Sequence, residues 1–374
     1  QVVITCLPLP HHVLENMLGE NGALGGMSAG TTWVDTSTTD YHNTLHIAGV
    51  AREKGVYSIE APVSNLSHMG VDFANSSIYA AGDKEGYNMS EDILNIISKI
   101  AFYVGDIGTA QTVKLLTNLL FYSSAAICGE CLAIAQEAGI PLHWMWWEFM
   151  QQSKGNSVAS EQFMPFLLDG SYDRSCTLEI GVKDMSLTVE LADELGVALP
   201  LGRIVNEHFA EAGRRYDHQD GHIQIGRVTE EDNNISLRIP GFTAPSKYGA
   251  NPDFVRSAEM ITDQYGRIKP KVPDRYKSPP YQPTPEQLAL AQTLTDFMAY
   301  TNYVVLEEAY DLGRSMGLSQ ELVADCILWS VGTCWVADNY ANYQLDDSIL
   351  EKMAAVDTSL NLRTTEKILS TLRA

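Results

Sequence analysis

The sequence predicts an α/β unit followed by an all-helical unit that occurs twice. Three observations predict it: β-branched runs alternate with helical stretches early in the chain, strands vanish after about residue 106, and a helical pattern returns near the C-terminus. The early strands are Val2–Leu7, Thr32–Asp35, Tyr57–Ala61, Ser77–Ala81 and Ala101–Val104, with a helical segment over Glu91–Lys99. Strands interleaved with helices predict a parallel or mixed sheet. A chain rarely begins inside a buried strand, so a further N-terminal portion is expected before Gln1.

Residues 107–227 read as all helix. Thr109–Ala138 is Leu- and Ala-rich, contains no proline, and is closed by Gly139 and Pro141. Helices over Leu142–Ser153, Glu179–Leu195 and Arg203–Arg214 follow. Residues 228–283 lack periodicity, are rich in Pro, Lys and Tyr, and read as a connector. Residues 284–374 read as a diverged second copy. Leu116–Ser123 matches Leu294–Thr301 at an offset of 178 residues, and Glu130 with Glu308 and Gly139 with Gly317 keep that offset. With a one-residue deletion Gly155 matches Gly332. These matches include glycines and polar residues, which chance apolar similarity between helices does not supply.

The chain has 374 residues, 45% of them apolar, and a net charge of −22. That is enough to build a core and excludes a disordered or fibrous class. The negative field repels phosphate backbones and anionic lipid, so neither nucleic acid nor membrane is expected as a partner. Six scattered cysteines predict no disulfide framework and a cytoplasmic setting. No apolar run of transmembrane length and no signal-peptide pattern are read.

The chemistry centres on Gly105-Asp106-Ile107-Gly108-Thr109-Ala110-Gln111-Thr112-Val113-Lys114-Leu115-Leu116-Thr117-Asn118. Two glycines let the chain turn into the long helix. Lys114 and Asn118 lie four apart and share one face. Burial in an apolar stretch lowers a lysine's pKa, which suits an amine that exchanges a proton with a hydroxyl.

This stretch resembles the catalytic helix of the β-hydroxyacid dehydrogenases, the group that includes 3-hydroxyisobutyrate dehydrogenase, tartronate semialdehyde reductase and, more distantly, 6-phosphogluconate dehydrogenase. Four further stretches match in order. Leu7-Pro8 resembles the cofactor-side leucine-proline pair. Asp35-Thr36-Ser37-Thr38 resembles the strand-end motif whose threonine lies by the nicotinamide. Glu60-Ala61-Pro62-Val63-Ser64 resembles the substrate loop, and Lys183-Asp184 the pair whose lysine reaches the cofactor site. The resemblance spans about residues 1–215. It implies a Rossmann-like unit, incomplete here, over 1–106, and a helical catalytic and dimerisation unit over 107–227. It also implies NAD or NADP as cofactor and a small hydroxy acid as substrate. Lys114 becomes the general acid/base and Asn118 its companion. Ser64, Asn65 and Leu66 line the substrate, and Leu7, Pro8, Thr38 and Lys183 face the cofactor.

Two departures stand out. The family's substrate serine is followed by two glycines, whereas Asn65 and Leu66 follow Ser64, which implies a larger substrate or a different grip. The Gly-x-Gly-x-x-Gly turn that cradles a pyrophosphate is absent from the 374 residues, and with it the residue that separates NAD from NADP.

In the second copy Gln292 stands for Lys114 and Asp296 for Asn118, and a looser alignment puts Thr365 opposite Lys183. The copy is therefore expected to be structural. It would fill the surface where a partner's helical unit packs in the family, giving an internal pseudo-dimer, or a homodimer otherwise. Cys128 and Cys131 read as core, Asp217–His222 as a solvated loop, and Trp144-Met145-Trp146-Trp147 as core, with a tryptophan lining an enlarged substrate pocket as the lesser alternative that the resemblance implies. The leading expectation is an NAD(P)-dependent dehydrogenase of a small β-hydroxy acid or its semialdehyde. The alternatives are a 6-phosphogluconate-like sugar acid dehydrogenase, and a non-catalytic binding protein that keeps the fold.

Overall fold

The extended runs at the start of the chain pair mainly in parallel. In the computed structural model, residues 1–64, 75–244 and 280–374 are described, together with the backbone of 260–262 and 268–270. Strands β1 (Val2–Thr5), β2 (Thr32–Asp35) and β3 (Tyr57–Glu60) are parallel, with Val2 beside Thr32 and Thr32 beside Tyr57. β5 (Ser77–Gly82) runs antiparallel to β3 and to the short β4 (Val63–Ser64) along one edge. It runs parallel to β6 (Ile100–Gly105) along the other. β2 is buried along its whole length, as a central strand covered on both faces must be.

Helices α1 (Pro10–Leu18), α2 (Tyr41–Glu53) and α3 (Lys84–Ile97) connect these strands. Pro10 opens α1 at a position that needs no backbone N–H. Asp40 caps α2 by accepting from the Asn43 amide at 2.7 Å. α3 begins earlier than the sequence suggested and turns Tyr87 and Leu94 inward.

Helix α4 (Thr109–Glu137) is the axis of the remaining structure. It is long and apolar enough to cross a membrane, contrary to the sequence expectation that no such run exists, yet its most apolar stretch is wholly buried. The tryptophan-rich segment forms a π-helical turn, Trp144–Phe149, and a 3₁₀ turn rather than one regular helix. Then come α5 (Leu178–Leu195), α6 (Pro200–Arg215) and α7 (Ile225–Asn233). α7 runs into the stretch read as connector, and Leu237 and Ile239 beyond it are buried. A two-stranded antiparallel pair, β7 (Met260–Thr262) and β8 (Ile268–Pro270), lies further along.

The second copy comprises α8 (Pro285–Ser315), α9 (Gln320–Leu328), α10 (Ser348–Ala354) and α11 (Arg363–Leu372). A capping box starts α8: Thr284 and Gln287 satisfy each other's backbone N–H, and Pro285 follows the cap. α8 packs along α4 in one continuous core.

The packing is reciprocal. The carboxylate of Glu130 on α4 accepts from Thr364 N and Thr365 N at the start of α11, at 2.9 and 2.7 Å. The carboxylate of Glu308 on α8 accepts from Leu201 N and Gly202 N at the start of α6, at 2.7 and 3.0 Å. Ser124 donates to Asn302, its equivalent 178 residues on. Ser157 and Cys334 form an isolated antiparallel bridge, with Val158 N donating to Thr333 O and Trp335 N to Asn156 O. These pairs exchange roles under one local two-fold relation, as an isologous interface does between subunits. They also correct one sequence alignment. Thr365 stands opposite Gly202, because both are the second amide held by the partner copy's glutamate, so Thr365 is not the counterpart of Lys183.

Gly155 and Gly332 are equivalent in the same sense. A β-carbon on Gly155 would lie 2.7 Å from Thr295 O, and one on Gly332 would lie 2.5 Å from Thr117 O. Backbone contacts of that kind do not yield. Gly332→Ala is expected to destabilise the protein by about 1–3 kcal/mol through overpacking, and Gly155→Ala by a similar amount. Urea unfolding midpoints check this, and wild-type stability in both variants would contradict it.

Candidate active site

The carboxyl ends of β1 and β2, the start of α4 and one face of α5 enclose a cleft of about 460 Å³. Its walls include Leu7, Pro8, Thr38, Lys114, Asn118 and Lys183. The fold thus brings together six of the nine residues singled out from the sequence. Ser64 is buried and not among the lining residues; its Oγ accepts at 3.2 Å from the backbone N–H of Val331, a second-copy residue that does line the cleft. Asn65 and Leu66 lie outside the described residues.

The start of α4 is fixed by two side chains. Glu60 Oε1 accepts from Gly108 N at 2.6 Å and Ala110 N at 2.7 Å, which caps the helix N-terminus. Gln111 donates to Ser37 O at 2.9 Å and accepts from Thr39 N at 3.0 Å. This clamps the helix to the loop after β2. Asp35 braces the same loop, accepting from Thr5 Oγ1 at 2.8 Å and from the Ser37 hydroxyl at 2.6 Å. Ser37 Oγ in turn accepts from Leu7 N at 2.8 Å. Burial raises the pKa of Asp35, and the bonds from Ser37 and Thr5 oppose the rise.

Lys114 sits one turn further along and is 7% exposed. Its Nζ donates to Asn118 Oδ1 at 2.9 Å, and Asn118 Nδ2 donates to Asp184 Oδ2 at 2.6 Å. Lys183 completes the chain, with Nζ 3.0 Å from Asp184 Oδ1. That same Nζ donates to Thr38 O at 2.6 Å and Pro8 O at 3.3 Å, tying α5 to both strand ends. Burial lowers the pKa of Lys114; Asp184 and Cys176 pull it back up, and Lys183 adds to the lowering. The result is a buried amine held below the ordinary lysine range and oriented by one amide.

Three other cleft residues escaped the sequence reading. His222 was read as part of a solvated loop, yet only Asp217–Gln219 are exposed. His222 is buried, with Nε2 2.9 Å from Asp173 Oδ2. Asp173 and Cys176 line the cleft with it. A faint signal lies in Asp220-Gly221-His222, where the glycine allows close backbone approach. The tryptophans do not line the cleft: Trp146 is fully buried and donates to Ser160 O at 2.8 Å. Cys128 and Cys131 are buried in α4.

Two family profiles match consecutive parts of the chain. One, described as the NAD-binding domain of 6-phosphogluconate dehydrogenase, covers residues 1–105. The other, described as NAD-binding of NADP-dependent 3-hydroxyisobutyrate dehydrogenase, covers residues 108–229. A 2-(hydroxymethyl)glutarate dehydrogenase of Eubacterium barkeri is 31% identical over 214 residues, which is 57% of this chain and 70% of the relative. The structure of a 3-hydroxyisobutyrate dehydrogenase from Salmonella typhimurium superposes with a TM-score of 0.57 at 23% identity, covering 61% of this chain and 79% of that one. A 6-phosphogluconate dehydrogenase from Plasmodium falciparum gives a TM-score of 0.59 at 13% identity, over 100% of this chain and 77% of that one. At those identities the two structures speak for the fold alone, and the second does so across both helical copies.

Glu60 yields a stability prediction. Burial raises its pKa from 4.5 to about 8, against the bonds from Ala110, Gly108 and Gln111, and Oε2 has no partner among the described residues. The folded state therefore holds a proton that the unfolded chain releases. The stability linked to Glu60 is complete below pH 4.5 and declines as pH rises toward about 8. Glu60→Gln keeps an acceptor at the helix start and removes the titration, so the unfolding midpoint should vary less with pH over that window. An unchanged profile would contradict the assignment.

Proposed function

The chain belongs to the β-hydroxyacid dehydrogenase family, and from that premise we propose that it is an NAD(P)-dependent dehydrogenase of a small β-hydroxy acid or its semialdehyde, with Lys114 as general acid/base. The observation that carries this reading is the buried Lys114–Asn118–Asp184–Lys183 chain at the carboxyl ends of β1 and β2. Ligands of α/β sheets bind at such strand ends.

The donor set fits the nicotinamide end of the cofactor. Leu7 and Pro8 offer an apolar surface, Thr38 a hydroxyl, and Lys183 holds both loops by their carbonyls. The 374 residues contain no glycine-rich pyrophosphate turn, so these positions account for the reactive end only. A bound nicotinamide supplies the hydride acceptor. The protein's own residues supply geometry and a proton site. In the oxidation direction the substrate hydroxyl gives its proton to the neutral Lys114 amine as the carbinol C–H bond breaks. In reduction the ammonium returns that proton to the carbonyl oxygen. Asn118 fixes the direction of Nζ, and Asp184 fixes Asn118.

The second copy extends the proposal to assembly. It covers α4 along the face that, by resemblance, a partner subunit covers in the family, and so makes the chain an internal pseudo-dimer. The reciprocal Glu130 and Glu308 caps support this.

Lys114→Ala in the full-length protein should lower kcat by about 10²–10⁴-fold while nicotinamide binding, followed by fluorescence, stays nearly unchanged. In the wild type, oxidation should speed up as pH rises, with a midpoint below the ordinary lysine range, because only the neutral amine accepts the proton. A panel of hydroxy acids with NAD and NADP supplies the assay. Near-normal turnover in Lys114→Ala would remove this residue from the reaction.

A further inference from the structure

Asp173, His222 and Cys176 lie within the cleft, and the acid/base chemistry of Lys114 makes no use of them. Their placement is built. Thr177 and Gly221 form an antiparallel bridge, with His222 N donating to Cys176 O at 3.0 Å and Leu178 N to Asp220 O at 2.7 Å. This register puts Cys176 directly opposite His222, with both side chains on one face. Gly221 permits the crossing: a β-carbon there would lie 1.8 Å from Tyr172 O. Tyr172 and Asp173 themselves take left-handed backbone, at φ 59° and 54°, which is strained for such residues and is kept by the surrounding packing. The strain delivers the Asp173 carboxylate to His222 Nε2.

The ring is otherwise enclosed by Phe121, Tyr122 and Phe163. Its Nδ1 is buried with no hydrogen-bond partner among the described residues, and the group across the ladder is the Cys176 thiol, whose Sγ lies 3.9 Å from Thr177 O. A carboxylate that accepts from Nε2–H fixes the tautomer whose Nδ1 lone pair is free to take the thiol proton. Burial opposes charge on the ring, but Cys176 and Asp173 outweigh it and raise its pKa above the ordinary imidazole range.

We propose that Cys176, His222 and Asp173 form a nucleophilic thiol site in the cleft, one that adds to electrophilic carbon and in particular to an aldehyde carbonyl. The arrangement is nucleophile, base and orienting carboxylate. The thiol proton passes to Nδ1, and sulfur forms a bond to the carbonyl carbon. The carbonyl π pair moves onto oxygen, which takes the proton from the imidazolium. The product is a reversible thiohemiacetal, with no change of oxidation state. The aldehyde class rests on the dehydrogenase reading, which makes or consumes a carbonyl in this cleft; the nucleophilic thiol does not.

Iodoacetamide alkylation, followed by peptide mapping, tests the site without any turnover. Sulfur displaces iodide, and the label records which cysteine reacted. In native protein Cys176 should label faster than Cys6, an exposed cysteine in the same cleft. His222→Gln should slow Cys176 by about tenfold or more, and Asp173→Asn by several-fold, with the rate at Cys6 unchanged. Asparagine tolerates the left-handed backbone, so Asp173→Asn keeps the segment's path. Buried Cys128 and Cys131 staying unlabelled shows that each variant is folded. Succinic semialdehyde should slow labelling of Cys176 more than that of Cys6. Equal protection of both cysteines means simple occupancy and overturns the adduct. Labelling of Cys176 that is slower than that of Cys6, or indifferent to His222, overturns the site itself. Inactivity toward every hydroxy acid, with these rates as expected, would instead overturn the dehydrogenase reading.

Discussion

A buried ammonium on α4 imposes the main constraint on this molecule. An isolated charge in a protein interior is costly, and the fold answers it with a chain of partners rather than one ion pair. Lys114 meets Asn118, Asn118 meets Asp184, and Asp184 meets Lys183. The last lysine then grips Thr38 O and Pro8 O. One polar network therefore sets both the state of the amine and the position of the strand ends. Loosening it would move the proposed proton donor and the proposed cofactor face together.

The network needs dry surroundings, and the second copy helps to supply them. α8 covers α4, and Glu130 and Glu308 reach across to hold the first amides of α11 and α6. Burial raises the pKa of Glu308 to about 7, against the bonds from Leu201 and Gly202. The end of α9 and the segment after it also touch the sheet. Val331 N donates to Ser64, Tyr79 donates to Cys326 O at 3.3 Å, and Ser77 donates to Trp329 O. A copy whose own equivalents of Lys114 and Asn118 are Gln292 and Asp296 thus backs the other copy's helix and contributes Val331 to its cleft. Within that copy the Gln292 amide donates to Asp296 at 2.9 Å on the surface.

Much of this was legible in the sequence because it is carried by local rules. Period and composition gave the α/β start and the long helix. The four-residue spacing put Lys114 and Asn118 on one face, and the bond between them has the geometry that spacing implies. The 178-residue repeat survives as a physical contact between Ser124 and Asn302. What failed did so for reasons outside any local rule. His222 follows an exposed polar turn, and only the register with Cys176 turns it inward. The bond from Val331, 267 residues away, to Ser64 is likewise a contact that no local rule announces. Thr365 was misplaced because the copy is shorter between its helices, and only the glutamate caps fix the correspondence. The tryptophans were placed near the cleft by resemblance, while the π-helical turn rotates Trp146 into the core.

The central claim concerns one distance. A crystal structure of the full-length protein with a nicotinamide cofactor and a hydroxy acid measures it directly. The account predicts Lys114 Nζ within about 2.6–3.2 Å of the substrate's hydroxyl oxygen, with Asn118 still bonded to that amine. A hydroxyl oxygen seated beyond reach of Lys114, in contact with other groups of the cleft, would contradict it.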